Sequence, residues 1–168
     1  MTEKMSEEMT EKMTEKMTEE KTVSLQAEEI LRIHADCPER IVVGSNDWGY
    51  LRAILIKGGT VSGRIKGEIV PGGADWNMAL GGEDLNSAFT ADLFAKYLLK
   101  TEDGVYIAVE NRCRKLRTDA PSYISTTPIF FAPRGPYEWL NYGVYVANLV
   151  GFHTEESSGV DIIVYRMC

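Results

Sequence analysis

The stretch from Gly58 to Trp76, GGTVSGRIKGEIVPGGADW, constrains this chain more than any other. Glycine serves where a backbone must bend or pass close to something. The spacing therefore predicts a curved sheet with a tight corner at Pro71-Gly72-Gly73, beside the adjacent acid and indole of Asp75 and Trp76. Upstream of that corner, Val61, Gly63, Ile65, Gly67 and Ile69 alternate with Ser62, Arg64, Lys66 and Glu68. One face is apolar and the other wet, the period of a strand. The two glycines on the apolar face either let the strand coil sharply or leave volume inside a closed sheet for a ligand.

The same chemistry continues along the body of the chain, where β-branched and aromatic residues are punctuated by Gly and Pro. Candidate strands are Glu29 to Ala35, Gly49 to Lys57, Val61 to Val70, Asp92 to Thr101, Val105 to Arg112, Tyr123 to Phe131, Trp139 to Phe152 and Val160 to Met167. Only Ser87 to Lys100 invites a helical alternative. Eight such runs predict an all-β domain, an antiparallel sandwich or barrel, over residues 23–168. The Asp-Gly turn in Lys100-Thr-Glu-Asp-Gly104 pairs the fourth run with the fifth.

Residues 1–22 read differently. A four-residue unit repeats through Met1, Met5, Met9, Met13 and Met17, a period that drifts about 40° per step around a helix and forms no lasting seam. The same register stacks Glu3, Glu7, Glu11, Glu15 and Glu19 in one column, where like charges cost about 0.2 to 0.5 kcal/mol per pair. The segment is expected to be a solvated, flexible or marginally helical extension, with docking on a partner as the alternative. It holds seven Glu and four Lys of a chain whose net charge is -7, so the body is only mildly acidic. No basic stripe suits nucleic acid, and no apolar run approaches the ~20 residues that span a bilayer. Neither a nucleic acid nor a membrane is an expected partner. Cys37, Cys113 and Cys168 are odd in number and lack any CxxC spacing, which fits reduced thiols in a cytoplasmic protein and supports no metal site with His34 or His153.

Candidate site residues follow from the faces. Leu93, Ala95, Tyr97 and Leu99 share one side of their strand, while Val105, Ile107, Val109 and Asn111 share one side of the next. Tyr97 and Asn111 are polar groups on otherwise apolar faces. They either satisfy each other and the backbone or offer hydrogen bonds to something bound inside. Trp139 and Asn141, in Pro136-Tyr-Glu-Trp-Leu-Asn-Tyr142, share a face in extended geometry, as an end plug or as a platform for a planar ligand. Asp75 caps the Pro-Gly-Gly turn or, desolvated beside Trp76, acts as an acid or base.

Together GGTVSGRIKGEIVPGGADW, KYLLKTEDGVYIAVENR, PYEWLNYGVYVA and the closing VDIIVYRM resemble, in order from about Glu29 to the C-terminus, the DUF3237 family, also called UPF0311. The methionine repeat has no counterpart in that pattern, and Arg112-Cys113-Arg114 stands where the family typically has a glycine-containing turn. The resemblance implies a single antiparallel β-barrel, lipocalin-like in outline. It marks Gly72, Gly73, Asp75, Trp76, Tyr97, Asn111, Trp139 and Asn141 as matching positions. Some fungal relatives in natural-product pathways imply cofactor-free chemistry on small organic substrates.

Two functions compete. One is a module that binds a small, mostly apolar molecule inside the barrel, with Trp76, Tyr97, Asn111, Trp139 and Asn141 as ligand-binding residues. The other is an enzyme without cofactor, an isomerase or cyclase, with Asp75 as catalytic acid or base. Whether the protein is an enzyme stays open at this stage, and self-association as a homo-oligomer is allowed. No GxSxG or GxxxxGK motif supports a hydrolase or a nucleotide enzyme.

Overall fold

A computed structural model of the chain describes residues 23–81, 90–116 and 124–168. The methionine repeat lies outside them. The expected all-β architecture holds, with ten strands where eight were expected: β1 (Ala27–Asp36), β2 (Glu39–Asn46), β3 (Gly49–Ile56), β4 (Gly58–Gly63), β5 (Gly67–Leu80), β6 (Thr90–Thr101), β7 (Tyr106–Leu116), β8 (Ile124–Phe131), β9 (Tyr145–His153) and β10 (Ser158–Met167). A single 3-10 turn, η1 (Glu138–Tyr142), interrupts them among the described residues. The strands run in the order β2-β3-β5-β4-β1-β10-β9-β8-β7-β6, and β6 returns to pair with β5. Every pairing is antiparallel, so eight strands close a barrel and the β2–β3 hairpin is attached to the distal half of β5.

The extra elements have physical reasons. β2 was not foreseen because its sequence, ERIVVGSN, is exposed on nearly every residue and shows no alternation, as befits a strand at a sheet margin. The expected strand from Val61 to Val70 is two strands, with the chain reversing at residues 64–66 so that Val61 pairs with Gly67. The apolar face survives the turn, with Val61, Ile65 and Ile69 all buried. Trp139 to Phe152 was expected to be one strand, but its first turn is η1. There Asn141 Nδ2 donates to the Ala132 carbonyl at 2.9 Å, Asn141 Oδ1 accepts from the Ala132 amide at 2.8 Å, and Leu140 is buried. Backbone closed by a side chain in this way has no need of a ladder.

The Asp-Gly turn joins β6 to β7 as expected, with Lys100 opposite Tyr106. Thr101 Oγ1 donates to Asp103 at 2.5 Å, and Tyr137 Oη donates to the same carboxylate at 2.8 Å. At Arg112-Cys113-Arg114 the strand β7 simply continues, paired with Asp92, Leu93 and Phe94. The helical alternative for Ser87 to Lys100 gives way to β6 from Thr90 onward, while residues 82–89 lie outside the described part of the chain.

Pro71-Gly72-Gly73 is a bulge inside β5, not a turn between strands. Val70 pairs with Leu98 and Ala74 with Lys96, so four steps on β5 match two on β6. Proline has no amide hydrogen for the ladder and Gly72 adopts a φ of 113°, both of which suit an interruption. The bulge bends β5 from β4, its neighbour at Gly67 and Glu68, to β3, its neighbour from Gly73 to Ala79.

The barrel interior is divided along its axis. One half is packed solid with Ile30, Leu31, Ile33, Ile69, Leu99, Ile107, Val109, Phe130 and Val164, closed by Leu140. The other half is lined by smaller residues, including Ala35, Ala79, Ala91, Ala95 and Gly151, and stays hollow.

Candidate functional site

The hollow half encloses a cavity of about 710 Å³, within the range of small-molecule sites. Three strands supply most of its polar wall. Past the bulge, β5 points Asp75, Asn77 and Ala79 inward at every second residue, as a pleated strand must. β3 lies beside it and sets Arg52 opposite Asn77 and Ile54 opposite Asp75. On the other side β6 places Ala95 opposite Asp75, and β7 places Asn111 opposite Ala95. Asp75 and Asn111 are thus two strands apart, about 10 Å around the wall, with only an alanine methyl between them. Tyr97, buried one layer deeper, marks the boundary with the packed half.

Hydrogen bonding within this wall is incomplete. Arg52 Nη2 donates to Asn77 Oδ1 at 3.2 Å. Among the described residues, five buried side-chain atoms have no partner: Arg52 Nε, Asp75 Oδ1, Asn77 Nδ2, Asn111 Oδ1 and Thr126 Oγ1. All five residues line the cavity. A buried polar group left unpaired costs about 1–3 kcal/mol, so a cluster of five facing one hollow is expensive unless something fills it.

The electrostatics are those of a desolvated site. Burial raises the Asp75 carboxyl above its ordinary value. The nearby Asn77 amide, then Arg52 and the Phe94 backbone, offset part of that effect, although Asp75 Oδ1 and Asn77 Nδ2 close no hydrogen bond. Burial, then Asp75 and Asp36, push the Cys37 thiol up to about 11, so it stays a neutral thiol at physiological pH. Burial, followed by Cys37 and Asp75, also raises Tyr97 and keeps it a neutral phenol. Burial and the neighbouring Arg40 lower Arg52, which remains a cation because a guanidinium is not deprotonated in proteins.

Of the residues singled out from sequence, Asp75, Tyr97 and Asn111 meet at the cavity and the other three do not. Trp76 alternates with Asp75 and Asn77, so its ring lies on the outer face of β5, 46% exposed. Trp139 sits on η1, against the packed core, with the guanidinium groups of Arg64 and Arg166 each 5.9 Å from its ring centre. It serves the end of the barrel away from the cavity. Asn141 is occupied by the Ala132 backbone. Asp75 does not cap a turn: it lies inside β5 with Ile54 on one side and Ala95 on the other.

Arg52, Asn77 and Thr126 were not foreseen. Arg52 is the one charge in the apolar run LRAILI, a signal in itself. Asn77 lies beyond Val70, where the alternating pattern stops at Pro71-Gly72-Gly73, and Thr126 carries no local signal at all. His34 is on the outer surface, its Nδ1 2.7 Å from Asp161 Oδ1 and its ring stacked on Phe152. No group of three or more His, Cys, Asp or Glu side chains is arranged to hold a metal ion among the described residues. No described helix is long and apolar enough to cross a membrane.

A family model described as a protein of unknown function, DUF3237, matches residues 25–167. A UPF0311 protein of Bradyrhizobium diazoefficiens is 29% identical over an alignment of 141 residues that covers 76% of this chain and 89% of that protein. The crystal structure of a conserved protein of unknown function from Rhodopseudomonas palustris superposes with a TM-score of 0.72 at 26% identity, covering 88% of this chain and all of that one. An enzyme from Penicillium herquei shares the fold alone, with a TM-score of 0.63 at 17% identity over 88% of this chain and 98% of its own.

Proposed function

The chain belongs to the DUF3237 (UPF0311) family, and from that premise we propose that it binds a small, mostly apolar molecule in the hollow half of its barrel. The observation that carries this reading is the convergence of five unpartnered buried polar atoms on one cavity of about 710 Å³. Its walls supply apolar contact from Ile54, Leu93, Leu149 and Ile162, while Arg52, Asn77, Asn111 and Thr126 orient the guest. Binding restores the missing hydrogen bonds and fills space that the chain leaves empty. The reading sets this activity in the cytoplasm, a setting supported by an odd number of cysteines without any CxxC spacing. It also allows a homo-oligomer, supported by β2, which pairs with β3 alone among the described residues and exposes Ile41, Val42 and Val43.

Native mass spectrometry after incubation with a cell extract tests the proposal. A retained small mass is expected in the natural protein and not in Ala95→Phe, whose ring occupies the space between Asp75 and Asn111. Equal retention by both proteins, or by neither, would remove the idea.

A second reading has its own support. Asp75 is a carboxyl group with a raised pKa and an unpartnered oxygen on a residue that lines the cavity, and a raised pKa is what a general acid needs near neutral pH. A cofactor-independent isomerisation or cyclisation would use it, and the fungal fold relative that is an enzyme is compatible with such chemistry. Titrating Asp75 by carbon NMR decides the matter: a value below that of an ordinary aspartate excludes the role.

A further inference from the structure

The charges around the cavity narrow what it holds. Among the described lining residues the arginines are Arg40 and Arg52, no lysine is present, the one histidine is His153, and the only carboxylate is Asp75. Arg40 on β2 and Arg52 on β3 are diagonal cross-strand neighbours, because Arg40 pairs with Ile54 and Arg52 pairs with Val42. That places them roughly 7–8 Å apart by backbone spacing. Burial, and after it the Arg40 charge, lowers the basicity of Arg52. Asp75 cannot cancel both. The site carries a net positive charge if Asp75 is ionised and a larger one if it holds its proton.

Two of the five unpartnered atoms point the same way. Arg52 Nε and Asn77 Nδ2 are donors on adjacent strands, each without an acceptor. They need an oxygen that accepts two hydrogen bonds. Of the other three, Asp75 Oδ1 and Asn111 Oδ1 each need a donor, and Thr126 Oγ1 takes either. Asn77, Asn111 and Thr126 are each at least 95% buried. The rest of the lining is apolar or neutral.

We infer that the molecule held in this cavity is an organic acid bound as its anion, with a carboxylate or equivalent oxyanion on Arg52 and Asn77 and a hydrophobic body against Ile54, Leu93, Leu149 and Ile162. The inference rests on the binding function proposed above and gives its ligand class. The anion supplies the acceptor that both donors lack and separates the two guanidinium groups electrically. A donor elsewhere on the ligand, such as a hydroxyl, reaches Asn111. Charge-assisted hydrogen bonds in a desolvated pocket are the strong kind, so the anionic group dominates recognition.

Three probes of one ring system test this with the full-length protein: anthracene-9-carboxylate, 9-anthracenemethanol and 9-anthracenylmethylammonium, titrated by fluorescence and calorimetry. The carboxylate is expected to bind at least about tenfold more tightly than the alcohol, and the ammonium not at all. Arg52→Met should erase that preference, so that carboxylate and alcohol bind alike, because the charge-assisted contact is lost. Arg40→Met, at an exposed position that tolerates substitution, should reduce it partly and lessen its dependence on salt. Ala95→Phe should abolish carboxylate binding; if it does not, the probe is held elsewhere and the inference fails. Alcohol binding equal to or tighter than carboxylate binding overturns the anion while leaving the binding function standing. Failure of all three probes to bind overturns both.

Discussion

Asp75 shows how one position can be understood through its surroundings. Its carboxyl is raised above the ordinary value of 3.8 chiefly by burial, so the folded protein holds this proton more tightly than the unfolded chain does. Stability from this group is therefore greatest below the unfolded value and is lost as pH rises through the folded one. Asp75→Asn, which cannot ionise, should melt at a higher temperature than the natural protein at pH 7, with the difference shrinking toward pH 4. A difference that grows on acidification would contradict the assignment. Gly73 is constrained by contact instead of charge. A Cβ there would lie 2.5 Å from the Tyr97 Cβ and 2.9 Å from the Lys96 carbonyl oxygen, a clash with β6 itself. Gly73→Ala is expected to cost about 1–3 kcal/mol by chemical denaturation, in the manner of other overpacked sites.

Among the elements, β5 and η1 show two ways a local motif takes on a global role. The bulge in β5 lets one strand serve β4 at one end and β3 at the other, which brings Arg52 opposite Asn77 and opens the wall where Asp75 stands. From sequence the motif read as a corner, because glycine and proline announce a bend without saying whether the ladder resumes beyond it. The turn η1 owes its shape to Asn141, whose amide holds both backbone groups of Ala132. Asn141→Ala should destabilise the protein by about 1 kcal/mol, the net worth of such bonds, and leave probe binding unchanged. A loss of binding without a loss of stability would instead restore Asn141 as a ligand-binding residue.

At the scale of the whole molecule, the division into a packed and a hollow half predicts unequal costs along a single strand. Leu99 and Leu93 point the same way from β6, yet Leu99 is sealed in the core and Leu93 borders the cavity. Leu99→Ala should cost about 2–5 kcal/mol, whereas Leu93→Ala should cost a small part of that because its surroundings are already open. Equal losses in urea titrations would mean that the hollow half is packed after all. The sequence by itself determined the all-β class, the β6–β7 hairpin and the inward faces carrying Tyr97 and Asn111, since these depend on a two-residue period and a turn dipeptide. It also identified Asp75 as a residue beside a backbone irregularity. Only the tertiary structure decided that Trp76 faces outward, that Trp139 belongs to the closed end, and that Arg52, Asn77 and Thr126 join Asp75 and Asn111. Those relations depend on register between strands distant in sequence, and a shift of one residue in any of them would turn each side chain to the other side of the wall.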